Sequence, residues 1–169
     1  LRFLATSDAW LGATVQGLYL ATLGRPGDPA GVTHWVDQLR RGQVTVPEVA
    51  ARFLGSAEYF ARFDGISSWV RELYGRLLGR ADDDGGTAYW TARAQQLGRD
   101  RVALELYQSI ESRAVRVDQL YEALLGRAPD SSGREYWAGR ILTDGDVSLA
   151  VDLAGSTEYQ DRARSRFPA

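Results

Sequence analysis

One unit is written three times along this chain, and that repetition limits the possible folds more than any other feature does. The unit reads L-Y-x-x-x-L-G-R, with Asp three residues after the Arg, Gly three later and Trp four after that. The first copy holds Leu18, Tyr19, Leu23, Gly24, Arg25, Asp28, Gly31 and Trp35. The second holds Leu73, Tyr74, Leu78, Gly79, Arg80, Asp83, Gly86 and Trp90, and the third Leu120, Tyr121, Leu125, Gly126, Arg127, Asp130, Gly133 and Trp137. Trp35 and Trp90 lie 55 residues apart, Trp90 and Trp137 47 apart, so the basic period is 47 with 8 extra residues in the first unit. A second signature closes each unit: Ser56-Ala57-Glu58-Tyr59, Ser109-Ile110-Glu111 and Ser156-Thr157-Glu158-Tyr159. Thr6-Ser7-Asp8, after Arg2-Phe3-Leu4, opens the chain in the same way. A period of this length marks stacked supersecondary units, and residues present in every copy point to scaffold before active site.

The pattern divides the chain into residues 1–14, the tail of a truncated preceding repeat; 15–69, repeat 1 with an inserted joint; 70–116, repeat 2; and 117–169, repeat 3. Each repeat reads as helices. Val70, Leu73, Tyr74, Leu77 and Leu78 fall at i, i+3, i+4, i+7 and i+8, and Val117 to Leu125 repeats that stripe. Gly24, Gly79 and Gly126 follow the last apolar residue, where a C-terminal glycine belongs. Asp28, Asp83 and Asp130 are expected to cap the next helix, and Thr45 with Glu48 has the spacing of a capping box opening the third. Asp100 and Asp146 are the expected caps in the other copies, and Ser56, Ser109 and Ser156 open a fourth helix. That helix is expected to run unbroken from repeat 2 into repeat 3, making a rigid joint there. Asp64-Gly65 and Ser67-Ser68 interrupt it between repeats 1 and 2, where a looser joint is expected. The expected fold is therefore all-α: tandem helical repeats of about 47 residues stacked into one compact or slightly elongated helical module.

The composition excludes several chemistries. All 20 basic residues are Arg, so there is no Schiff-base lysine, P-loop lysine or Ser-Lys dyad. Cys is absent, which removes disulfides, a thiol nucleophile and Cys-based zinc sites. Met is absent even at position 1, which reads as a processed product or a fragment of a larger chain with neighbouring repeats. Net charge is −2 with no basic stripe, arguing against nucleic acid as partner, and no apolar run reaches the ~20 residues of a membrane span.

The string L-Y-x-x-L-L-G-R-x-P-D-x-x-G-x-x-Y-W with a later S-x-E-Y resembles the bacterial domain-of-unknown-function 4214 family. Repeat 3 carries it best, through Leu120, Tyr121, Leu124, Leu125, Gly126, Arg127, Pro129, Asp130, Gly133, Tyr136, Trp137, Ser156, Glu158 and Tyr159. Repeat 2 departs at Asp82 and Ser112, and repeat 1 at Gly27 and His34. The resemblance implies an all-helical module of secreted or envelope-associated bacterial proteins. It places relatives beside calcium-binding repeats, surface-layer segments and enzymes of surface polysaccharide synthesis.

Individual residues carry alternatives. Arg25, Arg80 and Arg127 recur with Asp8, Glu58, Glu111 and Glu158; the arrangement suits bidentate ion pairs between helical junctions or a clamp on an anionic ligand. Trp35, Trp90 and Trp137 lie on apolar helical faces and are expected in the core. Trp10 and Trp69 do not recur, and with Phe60 and Phe63 they cluster near the first joint. They are either exposed aromatics for a sugar or partner helix, or local packing of the extra segment. Asp82-Asp83-Asp84 is a weak calcium candidate or a helix cap, since residue twelve of that loop is Arg93 where an EF-hand needs Glu. His34, the single histidine, stands in the slot of Tyr89 and Tyr136 and reads as an aromatic substitution.

No catalytic residue set stands out, and no cofactor is expected apart from that calcium. The leading expectation is a non-catalytic binding or adhesion module, extracellular or at the bacterial cell surface, whose ligand is a glycan or envelope component. The alternative is a protein–protein scaffold built from stacked repeats.

Overall fold

The computed structural model describes residues 8–166. The opening signature, Arg2-Phe3-Leu4 and Thr6-Ser7, lies outside them. The chain forms α1 (Asp8–Leu18), α2 (Pro29–Arg40), α3 (Val46–Gly55), α4 (Ala57–Phe60), α5 (Ile66–Leu73), α6 (Asp84–Leu97), α7 (Arg99–Tyr107), α8 (Ile110–Leu125), α9 (Ser131–Asp144), α10 (Asp146–Gly155) and α11 (Thr157–Arg166). No strand occurs among the described residues. Wider π-helical turns, Tyr19–Leu23 and Tyr74–Leu78, extend α1 and α5. In repeat 3, α8 stays α-helical through Leu125.

The helix ends follow local chemistry. Gly24, Gly79 and Gly126 close the L-Y helices with φ of 69°, 66° and 68°, a left-handed conformation that costs glycine nothing. Asp28, Asp83 and Asp130 accept from the N–H of Gly31, Gly86 and Gly133 at 2.8, 2.6 and 2.7 Å and so open α2, α6 and α9. Thr45 and Glu48 form the capping box of α3, with Thr45 N–H donating to the Glu48 carboxylate at 2.7 Å. Ser56, Ser109 and Ser156 cap α4, α8 and α11 through the N–H of Tyr59, Ser112 and Tyr159. Such a serine cap contributes about 1 kcal/mol. Asp100 and Asp146 are not caps. They lie in the first turn of α7 and α10, behind Gly98 (φ 87°) and Gly145 (φ 75°), so the entry to the third helix is a backbone turn in two of the repeats.

Two compact units result, one ending at Tyr107 and the other beginning at Gln108. In the first, α3 packs along α7 and joins repeats 1 and 2 in one core. Val15, Val49, Trp69, Val70, Leu73, Val102 and Leu106 are sealed from water there. Burying an aliphatic side chain of this kind contributes about 1.5–3 kcal/mol. The approach of α3 to α7 is tight at Gly55, where an added Cβ would stand 2.7 Å from the backbone nitrogen of Asp100.

The joint between these repeats is not loose. The chain turns after Phe60 and restarts at Ile66, and this corner carries Trp69 into the middle of the shared core. The expected continuous helix is α8, which begins the second unit and runs 16 residues. Around it α9, α10 and α11 enclose a smaller core centred on Val117 and Leu149.

Candidate functional site

The residues of the repeated motif meet at one junction, and repeats 1 and 3 build it alike. Arg25 donates through Nε and Nη2 to the two carboxylate oxygens of Glu58 at 2.6 and 2.7 Å. Arg127 holds Glu158 in the same bidentate way at 2.5 and 2.7 Å. Each guanidinium also lies over the motif tyrosine, Arg25 above Tyr19 and Arg127 above Tyr121, both 5.4 Å from the ring centre. In repeat 2, Arg80 stands 4.9 Å from the Tyr74 ring centre and Glu111 lies in the first turn of α8. Asp8 engages a different arginine, Arg40, at 2.9 and 3.1 Å.

The ionisation of the junction follows from these bonds. The hydrogen bond from Arg25 holds the Glu58 carboxyl below its ordinary range, and Arg127 does the same to Glu158. Asp28 and Asp130 are lowered chiefly by the backbone N–H of Gly31 and Gly133. The arginines are therefore committed to their own carboxylates.

The tyrosines of the motif have a second role that sequence reading missed. A Cβ on Gly31 would stand 2.5 Å from the Tyr19 hydroxyl, and one on Gly86 would collide with that of Tyr74. Thus Gly is present because the Tyr of the preceding helix lies against it. In repeat 3 the Tyr121 hydroxyl is 3.6 Å from the same point on Gly133, an ordinary contact. The two repeats with π turns are the two in which tyrosine presses on glycine. The constant Tyr-to-Gly spacing of twelve residues was the available signal.

A further arginine was also missed. Arg62 donates to the carbonyls of Thr22 and Leu23 at 3.0 and 2.5 Å, satisfying the end of the first helix. Its counterpart Arg162 lies against Gly126.

Of the aromatic cluster at the first joint, Trp69 is core and the other three are half-buried against it. Trp69 is 0% exposed, and its indole N–H donates to the Leu54 carbonyl at 2.8 Å. That carbonyl belongs to the last turn of α3, where the helix leaves its C=O groups without internal partners, so burial of the indole satisfies both groups. Phe60 stands edge-on to Trp69 at 6.5 Å with the Arg99 guanidinium 4.0 Å from its ring centre. Phe63 packs edge-on against Tyr59 at 5.2 Å, and Trp10, Phe60 and Phe63 are half-buried against the core. Trp35, Trp90 and Trp137 are half-buried against their own cores.

The exposed aromatics lie elsewhere. Tyr89 on α6 is 57% exposed and Tyr136 on α9 is 55% exposed. Each stands edge-on to the adjacent tryptophan, at 5.0 Å from Trp90 and 5.2 Å from Trp137. His34 repeats the geometry at 5.0 Å from Trp35. One turn beyond each tyrosine is an arginine held by a carboxylate: Arg93 by Glu105 at 2.6 and 2.9 Å, and Arg140 by Asp144. Arg140 also donates to the Tyr136 hydroxyl at 3.2 Å.

The acidic run of repeat 2 is largely engaged. Asp83 caps α6, and Asp82 accepts from the Thr87 hydroxyl at 2.5 Å and faces Arg71 at 3.5 Å. Among the described residues, no three His, Cys, Asp or Glu side chains gather as a metal site. No helix among them is long and apolar enough to cross a membrane.

Recurrent capped helices, Arg–Glu junctions and Tyr–Gly contacts define a tandem helical-repeat protein. The chain belongs to the family described as "Domain of unknown function (DUF4214)", whose model matches residues 12–63 and 112–163, more than half of the chain. No curated protein matches the chain. No solved structure matches it.

Proposed function

We propose that the chain is a non-catalytic binding or adhesion module of a secreted or cell-surface bacterial protein, and that its ligand is a glycan or another envelope component. The observation that carries this reading is the exposed tyrosine, present in each compact unit. Tyr89 and Tyr136 each back onto a half-buried tryptophan, with an arginine–carboxylate pair one turn away. A flat ring offers a face to the apolar C–H side of a sugar, and the adjacent charged pair offers donors and acceptors to its hydroxyls. The ring is held from behind, so little side-chain entropy is lost on binding.

Asp28, Glu58, Glu105, Asp130 and Glu158 are all shifted downward by hydrogen bonds from backbone N–H groups or arginines, as helix caps and structural ion pairs are.

A glycan-array screen with and without calcium tests the reading, using the chain and its Tyr89→Ala and Tyr136→Ala variants. Selective binding weakened by either substitution is expected. Calcium-dependent binding would assign a role to Asp82–Asp84. No binding by a folded protein would overturn the glycan reading and favour the scaffold alternative, to which the exposed Leu20, Ile110 and Leu142 would lend apolar surface.

A further inference from the structure

The third helix of each repeat carries two apolar faces. One turns to its own repeat: Val49 and Phe53 on α3, Val102 and Leu106 on α7, and Leu149 and Leu153 on α10 are all buried. The other face is covered in repeats 1 and 2 because α3 and α7 lie against each other. There Ala50, Ala51, Leu54 and Gly55 are buried on α3. On α7 Ala103 is buried, and Leu104 and Tyr107 are half-buried. The same positions of α10 are Ala150, Val151, Ala154 and Gly155. Ala150 and Val151 are only half-buried, and Ala154 and Gly155 are exposed. A Cβ on Gly155 would meet nothing within 4 Å, whereas one on Gly55 would press on the backbone of Asp100. Repeat 3 thus presents, uncovered, the face that repeats 1 and 2 use to join.

The α3–α7 pairing is nearly symmetric. Gly55, the last residue of α3, lies beside Asp100, the second residue of α7, while the helices pack along each other, so they run antiparallel. Four residues back along α3 and four forward along α7, this register brings Ala51 level with Leu104. Those two occupy the same position of the repeat. A face that meets its own equivalent about a two-fold axis is self-complementary, and two copies of it form a closed dimer.

We propose that α10 is the contact helix of a homodimer, in which a second copy of this chain lays its own α10 antiparallel across it, with Val151 at the two-fold axis. The face suits that occupant. Ala150, Ala154 and Gly155 are small, so two backbones can approach as closely as at Gly55. The acids of α10 stand off the contact. Asp152 takes the position of Arg52 and Glu105, which turn to Trp35 and Arg93 of their own repeats, and Asp146 is held by Arg116 at 2.9 Å.

The dimer is weak. The α3–α7 pair has a hydrogen bond from Arg99 to the Gly55 carbonyl at 2.9 Å, and α10 has Asp146 at the Arg99 position. One face of a 10-residue helix also falls below a standard interface in area. A dissociation constant of roughly 10–100 µM is expected. Melting experiments at about 1 µM therefore report the monomer. The proposal is independent of the glycan reading.

Sedimentation equilibrium of the full chain from about 1 µM to 1 mM tests it. A monomer–dimer equilibrium without higher oligomers is expected. Ala154→Arg, at an exposed position, should keep the helix content and the dilute melting temperature, yet weaken the dimer about tenfold or more. Asp152→Arg places the same side chain on the same helix away from the contact, and should leave the dimer unchanged. Val151→Cys, in a chain with no other thiol, should give a disulfide-linked dimer on mild oxidation of the concentrated protein. A chain that stays monomeric at about 1 mM would overturn the proposal. So would a dimer that Ala154→Arg leaves intact, or that both arginine variants weaken equally. A dimer that Val151→Cys fails to cross-link would overturn the two-fold arrangement.

Discussion

The hydroxyl of Tyr74 occupies the space that a Cβ on Gly86 would need. Tyr74 begins the π-helical turn that extends α5 and Gly86 sits in the first turn of α6, so the contact sets how closely two consecutive helices approach.

This contact predicts unequal responses to one substitution. Gly86→Ala should destabilise the fold by about 1–3 kcal/mol through overpacking. Gly133→Ala, with Tyr121 at an ordinary 3.6 Å and the capping Asp130 carboxylate at 3.3 Å, should cost less than Gly86→Ala, within about 1 kcal/mol of neutral. Denaturant titration of the two variants decides it; equal effects would refute the packing account. Tyr74→Phe should recover part of the Gly86→Ala loss.

The Arg–Glu junctions predict an acid limb. Glu58 and Glu158 have folded-state pKa values below the ordinary 4.5. On acidification the unfolded chain takes up these protons first, so the junctions contribute fully above about pH 4.5 and lose their contribution as pH falls through the depressed folded values. The melting temperature should drop over that window, and a Glu58→Gln/Glu158→Gln double variant should show a shallower drop. Because both pairs are exposed, added salt should also weaken the contribution.

Trp69 should behave as core. Trp69→Ala is expected to cost about 3–5 kcal/mol through the cavity it leaves. Trp69→Phe should cost less, about 1–3 kcal/mol, mostly from the Leu54 carbonyl left without its donor. Glycan binding, wherever it is detected, should be unchanged in the Phe variant at temperatures where it remains folded.

Gly55 and Gly155 form an internal control. They end the equivalent helices α3 and α10, but a Cβ on Gly55 would press on the Asp100 backbone whereas one on Gly155 meets nothing within 4 Å. Gly55→Ala should shift α3 from α7 and lower the melting temperature, and Gly155→Ala should leave it unchanged or raise it. A comparable loss in both would mean that the close approach does not limit stability.

What the sequence determined by itself is the part governed by short-range rules. The all-α class follows from the apolar period. The Asp and Ser caps and the left-handed Gly24, Gly79 and Gly126 follow from fixed offsets within one or two turns. The unbroken helix through Ile110–Leu125 follows from the lack of a breaker. The pairing of Arg25 with Glu58 was legible because the same two residue types recur at the same place in each repeat.

Tertiary structure alone decided which aromatics face water. Trp69 stood out because it does not recur, yet it became the plug of the shared core, while the recurring Tyr89 and Tyr136 were left exposed. It also decided that Tyr74 presses on Gly86. The physical reason is common to both. Burial depends on what a second helix, distant in sequence, places across a side chain, and periodicity within one helix says only which residues share a face.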